Sequence, residues 1–243
     1  MSVPLTVVMP VYNEQDAIVD AVAEVQHYVL DLVEGAQLVV VNDGSRDNTP
    51  ALLDQIAQSD PRVRVIHQAN TGHGGAVMTG LTAATGDYVF LIDSDRQIPL
   101  DKFRDAWRHA TDGRVAVFGH RRRRHDPTIR LYLTKLIGAS VKALFRVEIA
   151  DANVPYKLLR RTLWEEAQQY IPPGTLAPSL FLAIVTKLRG YDILQLEVAH
   201  KERNTGQVSI RRMKLLKFCA RGLSQMIELR RRLSGRRREA DVR

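Results

Sequence analysis

An α/β architecture, with a mainly parallel sheet covered by helices, is predicted by three features of the 243-residue chain. Short β-branched runs alternate with longer segments of helical periodicity through the first half, the pattern of successive βαβ units. Each apolar run ends in polar or acidic residues, as strands do when they deliver side chains to a crevice at their carboxyl ends. A 45% hydrophobic content supplies a full core for one domain, with or without an appendage.

The first strand is expected at residues 5–12 (LTVVMPVY), followed by a helix over 14–33 and a second strand at 37–43 (QLVVVND). A helix over 48–59, a strand at 63–68 (VRVIHQ), a helix over 74–85 and a strand at 87–93 (DYVFLID) complete this half. Beyond residues 115–119 (VAVFG) come a basic loop, RRRRHDPTIR, and a helix over 131–145. Residues 150–161 (ADANVPYKLLRR) read as a polar turn entering another helix; 175–190 read as a further helix and 191–200 as a strand. From about Ser209, Met213, Leu216, Ala220, Leu223 and Ile227 recur at helical spacing among basic residues, which predicts a basic amphipathic helix with a frayed tail from Ser234. The boundary is placed between a domain of 1–206 and this appendage of 207–243.

Charge and cysteine content narrow the function classes. The net charge is +8, yet residues 201–243 hold 14 Lys or Arg against 4 Asp or Glu, while 1–200 hold 21 against 23. The excess sits at the C-terminus, which argues against a nucleic-acid groove across the body and for a basic attachment surface. Cys219 is the one cysteine, so an internal disulfide is excluded and either a reducing compartment or indifference to redox state is expected. No leader-like segment and no apolar run near the roughly 18–20 residues of a membrane span is visible. A cytoplasmic protein, peripheral on the cytoplasmic face of a membrane, is the expectation.

The chemistry concentrates in DSDRQ, residues 93–97. If the strand continues through Asp95, alternation puts Asp93, Asp95 and Gln97 on one side, an oxygen set suited to a hard divalent cation. Alone, the triplet is equally a cap between strand and helix. Tyr12, Glu14, Asn42 and Asp43 end the earlier strands, so several carboxylates face one crevice. Gly72, Gly74 and Gly75 permit a tight loop before a helix N-terminus, a geometry able to accept a phosphate. His73 receives no role.

Four segments, VVMPVYNEQDAI, VVVNDGSRDNT, NTGHGGAVMTGL and GDYVFLIDSDRQ, in this order and spacing resemble glycosyltransferase family 2 with its GT-A nucleotide-sugar fold. DSDRQ is similar to the DADxQ motif of the dolichol- and polyprenyl-phosphate mannosyl- or glucosyltransferases. The resemblance implies Mg²⁺ or Mn²⁺ on Asp93, Asp95 and Gln97, with Asp95 catalytic. It implies a nucleotide sugar, GDP- or UDP-hexose, held by Pro10, Tyr12, Glu14, Asp43, Asp93, Ser94 and Asp95. Arg203, Gly206 and Ser209 resemble the loop that folds over the diphosphate, with Ser209, Arg211 and Arg212 as alternatives for its last contact. Arg121, Arg130 and Thr134 match the positions that meet a lipid phosphate, which makes the two arginines catalytic by positioning the acceptor.

Residues 167–191 contain no Asp or Glu, and QxxRW is absent. A hydroxyl acceptor needs a general base, whereas a phosphate, with its second pKa near 6, is already an anionic nucleophile. The expected reaction is therefore inverting, metal-dependent transfer of a hexose, mannose or glucose, to a polyprenyl or dolichyl monophosphate. The expected surroundings are an anionic membrane surface and a membrane-protein partner. The alternatives are a family 2 enzyme with a hydroxyl acceptor, using Asp126 or Asp151 as base, and a non-catalytic basic adaptor.

Overall fold

The computed structural model describes residues 4–121, 128–149, 151–201 and 212–240, the side chains of 128–135, 212–219 and 235–240 excepted. The β-branched runs become β1 (Leu5–Val11), β2 (Gln37–Asp43), β3 (Val63–Gln68) and β4 (Tyr88–Ile92), joined by α1 (Ile18–Val25), α2 (Thr49–Ser59) and α3 (His73–Ala83). β1 is buried along its whole length because parallel neighbours flank it, β2 in the register Val8↔Val39 and β4 in the register Val8↔Leu91. The helix expected over 14–33 is shorter at both ends: α1 passes at Gln26 into one π-helical turn that closes with Asp31 N donating to Gln26 O.

After α4 (Phe103–Thr111) and β5 (Ala116–Arg121), α5 (Thr128–Phe145) leads to a strand that pattern reading misses. Residues expected to form a polar turn contain β6 (Tyr156–Arg160), which runs antiparallel between β4 and β5. Its five residues are too few to show a period, and Lys157 interrupts its apolar character. Burial on both sides overrides that local signal: four of the five are fully buried. α6 (Arg161–Gln168), α7 (Pro178–Leu188) and β7 (Ile193–Val198), parallel to β5, complete a seven-stranded sheet of order β3-β2-β1-β4-β6-β5-β7.

Alternating side chains of this sheet feed two cores. On one face Met9, Val40 and Phe90 pack against α1, α2 and α4; on the other Val8, Leu91, Phe118 and Leu159 meet α3, α5, α6 and α7. α8 (Arg212–Ala240) joins the second core through Met226 and Leu229, with Leu233 against it. Leu223 and Ile227, exposed at 44% and 37%, fall at helical spacing on an adjacent, outward side. The backbone of α8 remains helical past Ser234, where the sequence suggests fraying. Among the described residues no helix is long and apolar enough to cross a membrane.

Candidate active site

The carboxyl ends of β1, β2 and β4 and the first turn of α3 converge where the strand order reverses, the place at which open α/β sheets bind ligands. The loops after β1 and β2 are clasped together. Asn13 N donates to Ser45 Oγ at 2.9 Å, Arg46 N to Asn13 Oδ1 at 2.8 Å, and Glu14 N to Thr49 Oγ1 at 2.9 Å. Asn13 has a φ of 53°, a left-handed conformation that asparagine tolerates better than most side chains.

The cavity these loops border has a volume of about 430 Å³ and is lined by Pro10, Tyr12, Glu14, Asp43, Asn70, Gly72, His73, Asp93, Ser94 and Asp95. Every described residue assigned from sequence to the nucleotide sugar lines it. Asp43 is 2% exposed, and its Oδ1 accepts from Gln68 Nε2, Thr71 N and Thr71 Oγ1 at 2.8–3.0 Å. That oxygen is saturated, so contact with a ligand falls to Oδ2. Gly72, at φ 83°, turns the chain into α3, and a Cβ on Gly74 would lie 1.9 Å from Thr175 O.

Asp93 and Asp95 are brought together by a turn rather than by strand alternation. β4 ends at Ile92, and Arg96 adopts a φ of 55°, held by Asp20 at 2.7 Å and Glu24 at 3.0 Å. Asp95 Oδ1 accepts from Gln97 N at 3.1 Å, while Gln97 Nε2 donates to Lys201 O at 3.4 Å. The Gln97 amide thus ties the turn to the segment after β7. Burial raises the Asp93 pKa to about 6; His73 opposes this, Asp95 adds to it, and Lys157 and Arg121 oppose it.

Asp93 Oδ1 is buried without a hydrogen-bond partner, and His73 Nε2 stands 3.9 Å from it. An acidic oxygen left unmatched beside a second carboxylate fits a divalent cation. Among the described residues no three His, Cys, Asp or Glu side chains are grouped to hold an ion by themselves. A cation held by Asp93 and Asp95 would complete its shell with water and diphosphate oxygens, the habit of Mg²⁺ at phosphate sites.

A second cavity, about 240 Å³, shares Asp93, Asp95 and Gln97 with this region; its lining also includes the polar Arg121, Asp151, Asn153 and His200 and the apolar Ile137, Val141, Ile149 and Leu180. Arg121 ends β5 and forms a two-pronged pair with Asp151, Nε to Oδ2 and Nη2 to Oδ1 both at 2.7 Å. The Asp151 side chain is 2% exposed. Arg130 and Thr134 fall within α5, but their side chains lie outside the described residues, as do Arg203, Ser209 and Arg211 altogether.

Sequence reasoning misses several of these groups. His73, given no role, lines the nucleotide-side cavity; Gln68, Asn70 and Thr71 fix Asp43 and its carbonyl; His200 lines the second cavity. Lys157 is fully buried, its Nζ donating to Val154 O at 2.6 Å and Ala152 O at 3.1 Å. A lysine inside an apolar pentapeptide, YKLLR, is the signal that marks it.

A sheet with this switch-point cavity and carboxylate turn defines a nucleotide-sugar transferase architecture. The glycosyl transferase family 2 model matches residues 6–176, and the chain belongs to that family. It is 29% identical over 214 residues to an undecaprenyl-phosphate 4-deoxy-4-formamido-L-arabinose transferase of Pseudomonas fluorescens, covering 87% of this chain and 62% of the relative. The same named protein of Proteus mirabilis is 27% identical, with 87% and 64% covered. The chain thus spans a little under two thirds of the length of these curated relatives. Among solved structures, glucosyl-3-phosphoglycerate synthase of Mycobacterium tuberculosis in complex with Mn²⁺, UDP-glucose and glycerol 3-phosphate aligns with a TM-score of 0.62 at 20% identity, over 93% of this chain and 79% of that one. S. aureus TarS 1-349 in complex with UDP-GlcNAc aligns with a TM-score of 0.64 at 18% identity, over 92% and 66%. These likenesses establish the GT-A-like fold.

Proposed function

We propose that the chain transfers a sugar from a nucleoside-diphosphate sugar to a polyprenyl monophosphate at a membrane surface. The observation that carries this reading is the second cavity, whose lining combines the charged Asp93, Asp95 and Arg121 with the apolar Ile137, Val141, Ile149 and Leu180. A lining of both charged and apolar groups suits an amphiphile with a phosphate head, and the relatives named for undecaprenyl phosphate support the same acceptor class.

In this reading each group has a task. Asp43 and Glu14 accept hydrogen bonds from the base and ribose, with Pro10 and Tyr12 beside them; Ser94 faces the diphosphate, and Arg203, Ser209 and Arg211 close over it. Arg121, Arg130 and Thr134 hold the acceptor phosphate so that one of its oxygens faces the anomeric carbon. The oxygen–carbon bond forms as the bond from that carbon to the diphosphate breaks, with inversion. No base is required, since the phosphate oxygen is already anionic near neutral pH. A divalent ion, Mg²⁺ or Mn²⁺, on Asp93 and Asp95 would supply charge stabilisation for the leaving diphosphate; Gln97 contributes through the turn it closes. The Mn²⁺ of the mycobacterial structural neighbour supports this choice.

The sugar in this reading is a hexose, mannose or glucose, with a formamido-arabinose as the alternative suggested by the relatives' names. α8 lies on an anionic, cytoplasmic membrane face through Leu223 and Ile227, flanked by Arg230 and Arg231, with a membrane protein as a further partner. Each basic residue near such a surface contributes about 1 kcal/mol. The decisive assay incubates the protein with a panel of UDP- and GDP-sugars, Mn²⁺ or Mg²⁺ and a polyprenyl monophosphate, then weighs the product. A glycosylated lipid phosphate is expected; transfer to a polyprenol equally well would sink the phosphate-acceptor reading.

A further inference from the structure

Among the described residues Lys157 is the one buried lysine, at 0% exposure in the middle of the sheet. Among the described residues no carboxylate pairs with it directly. Its ammonium lies 4.9 Å from the centre of the Phe118 ring and donates to Val154 O and Ala152 O. Burying an ammonium is costly, and an apolar side chain of similar length would pack the strand without that cost. The fold therefore carries a charge here that packing does not require.

The two carbonyls belong to a turn, Asp151 to Val154, closed by Val154 N donating to Asp151 O at 3.0 Å. Asp151 has a φ of 47°, a strained conformation for a non-glycine residue, which persists only where its surroundings enforce it. Ser179 Oγ donates to the same Val154 carbonyl at 3.2 Å, so α7 and β6 pin the turn together. From that turn the Asp151 carboxylate grips the Arg121 guanidinium on two atoms and also accepts from Arg121 N at 3.2 Å.

We propose that Lys157 is a positioning residue: its buried ammonium holds the Asp151–Val154 turn in the conformation from which Asp151 presents Arg121 to the acceptor cavity. This inference rests on the reading of Arg121 as an acceptor-phosphate ligand. Burial pulls the Lys157 pKa down to about 7; Asp151 opposes that shift, Arg121 adds to it and Asp93 opposes it, so the amine lies within the field of the site's charges.

The test measures two affinities on the full chain, farnesyl monophosphate as the acceptor probe and UDP with Mn²⁺ as the donor probe, together with a melting curve. Lys157→Met is expected to fold, to weaken farnesyl monophosphate about tenfold and to leave UDP within twofold. Lys157→Arg is expected to restore the acceptor probe to within threefold. Arg121→Gln weakens the same probe, and the double variant Lys157→Met with Arg121→Gln is no weaker than Arg121→Gln alone, because both act through one guanidinium. Should Lys157→Met not fold, Lys157→Gln, which keeps a donor for the carbonyls without the charge, is read in its place. Wild-type farnesyl monophosphate binding in the Lys157 variant, with binding lost in Arg121→Gln, overturns the role of Lys157 alone. Equal losses of both probes make Lys157 a general core residue and overturn it too. Unchanged binding in Arg121→Gln overturns the acceptor reading itself, and the inference with it.

Discussion

Arg121 and Asp151 form a bidentate ion pair in the lining of the second cavity, with both guanidinium-to-carboxylate contacts at 2.7 Å. The pair speaks against Asp151 as a general base, because a carboxylate side chain 2% exposed and held on both oxygens by the Arg121 cation is a weak proton acceptor for a hydroxyl. It also fixes the plane of Arg121, leaving its remaining N–H groups in a defined direction. Asp151→Asn keeps the shape and removes the charge. Breaking a buried pair from one side typically costs about 3–5 kcal/mol, so a lower melting temperature is expected. Turnover with a polyprenyl monophosphate is expected to fall ten- to a hundredfold, and a polyprenol is expected to be no acceptor for either form. Full wild-type rates in Asp151→Asn would remove the pair from the mechanism.

Arg130 is the second proposed phosphate ligand, four residues before Thr134 on α5 and so on one side of the helix. Losing one charge-assisted contact costs roughly 1.5–3 kcal/mol, about ten- to a hundredfold in rate. Arg130→Ala should show that loss in acceptor-dependent turnover while UDP binding stays within twofold. Weaker UDP binding with unaltered acceptor dependence contradicts the assignment.

Asp93 sets a trade between stability and function. Its folded pKa, raised to about 6, lies above that of an unfolded aspartate near 4. The folded state therefore holds this proton more tightly, and the resulting destabilisation develops as pH rises from about 4 through 6 and is complete above it. A two-unit shift corresponds to at most roughly 3 kcal/mol. At pH 7.5, without divalent ions, Asp93→Asn is expected to melt higher than the wild type and to be inactive. Mn²⁺ should raise the melting temperature of the wild type and not that of the variant. A variant that melts lower, or one stabilised by Mn²⁺, counts against the site.

The parallel half of the sheet is legible in the sequence because β1, β2 and β4 are buried on both faces and read as unbroken apolar runs. β6 is not, since Lys157 is made compatible with burial by carbonyls from its own preceding turn, a tertiary fact with no periodic trace. The carboxylate cluster is legible as residues but not as geometry. Arg96 at φ 55° breaks the alternation, and its partners Asp20 and Glu24 lie on α1, far away in sequence. The Arg121–Asp151 pair is hidden for the same reason, thirty residues apart with a helix between.

α8 carries two apolar faces, and they are predicted to fail differently. Met226 and Leu229 are buried in the domain core, so Leu229→Ala should cost about 2–5 kcal/mol of stability. Leu223 and Ile227 face outward, so Leu223→Asp with Ile227→Asp should leave the melting curve unchanged and abolish flotation with anionic liposomes. Flotation that persists in the double variant refutes membrane contact through this face.

The glycines that open α3 are predicted to be irreplaceable for two distinct reasons. Gly72 has open space around its missing Cβ, yet it sits at φ 83° and ψ 162°, a region almost confined to glycine, where a side chain costs about 1–3 kcal/mol. Gly74 has an ordinary backbone, but its Cβ would lie 1.9 Å from Thr175 O in the loop that Gln225 clamps, accepting from Leu176 N at 3.0 Å and donating to Gly174 O at 3.0 Å. Clamped from α8, that loop retreats only by losing those bonds, so the strain falls on the first turn of α3, where His73 and Ala76 line the cavity beside Asp43. Gly72→Ala is therefore expected to lower stability with a modest loss of UDP affinity, and Gly74→Ala to weaken UDP at least tenfold. Adding Gln225→Ala to Gly74→Ala loosens the loop, leaving the Arg221 Nη2 contact to Gly174 O at 3.3 Å, and should recover part of that affinity while lowering the melting temperature further. The measurement is UDP titration calorimetry on the three variants beside their melting curves. If Gly74→Ala binds UDP as the wild type does, the contact with Thr175 has no bearing on the nucleotide cavity.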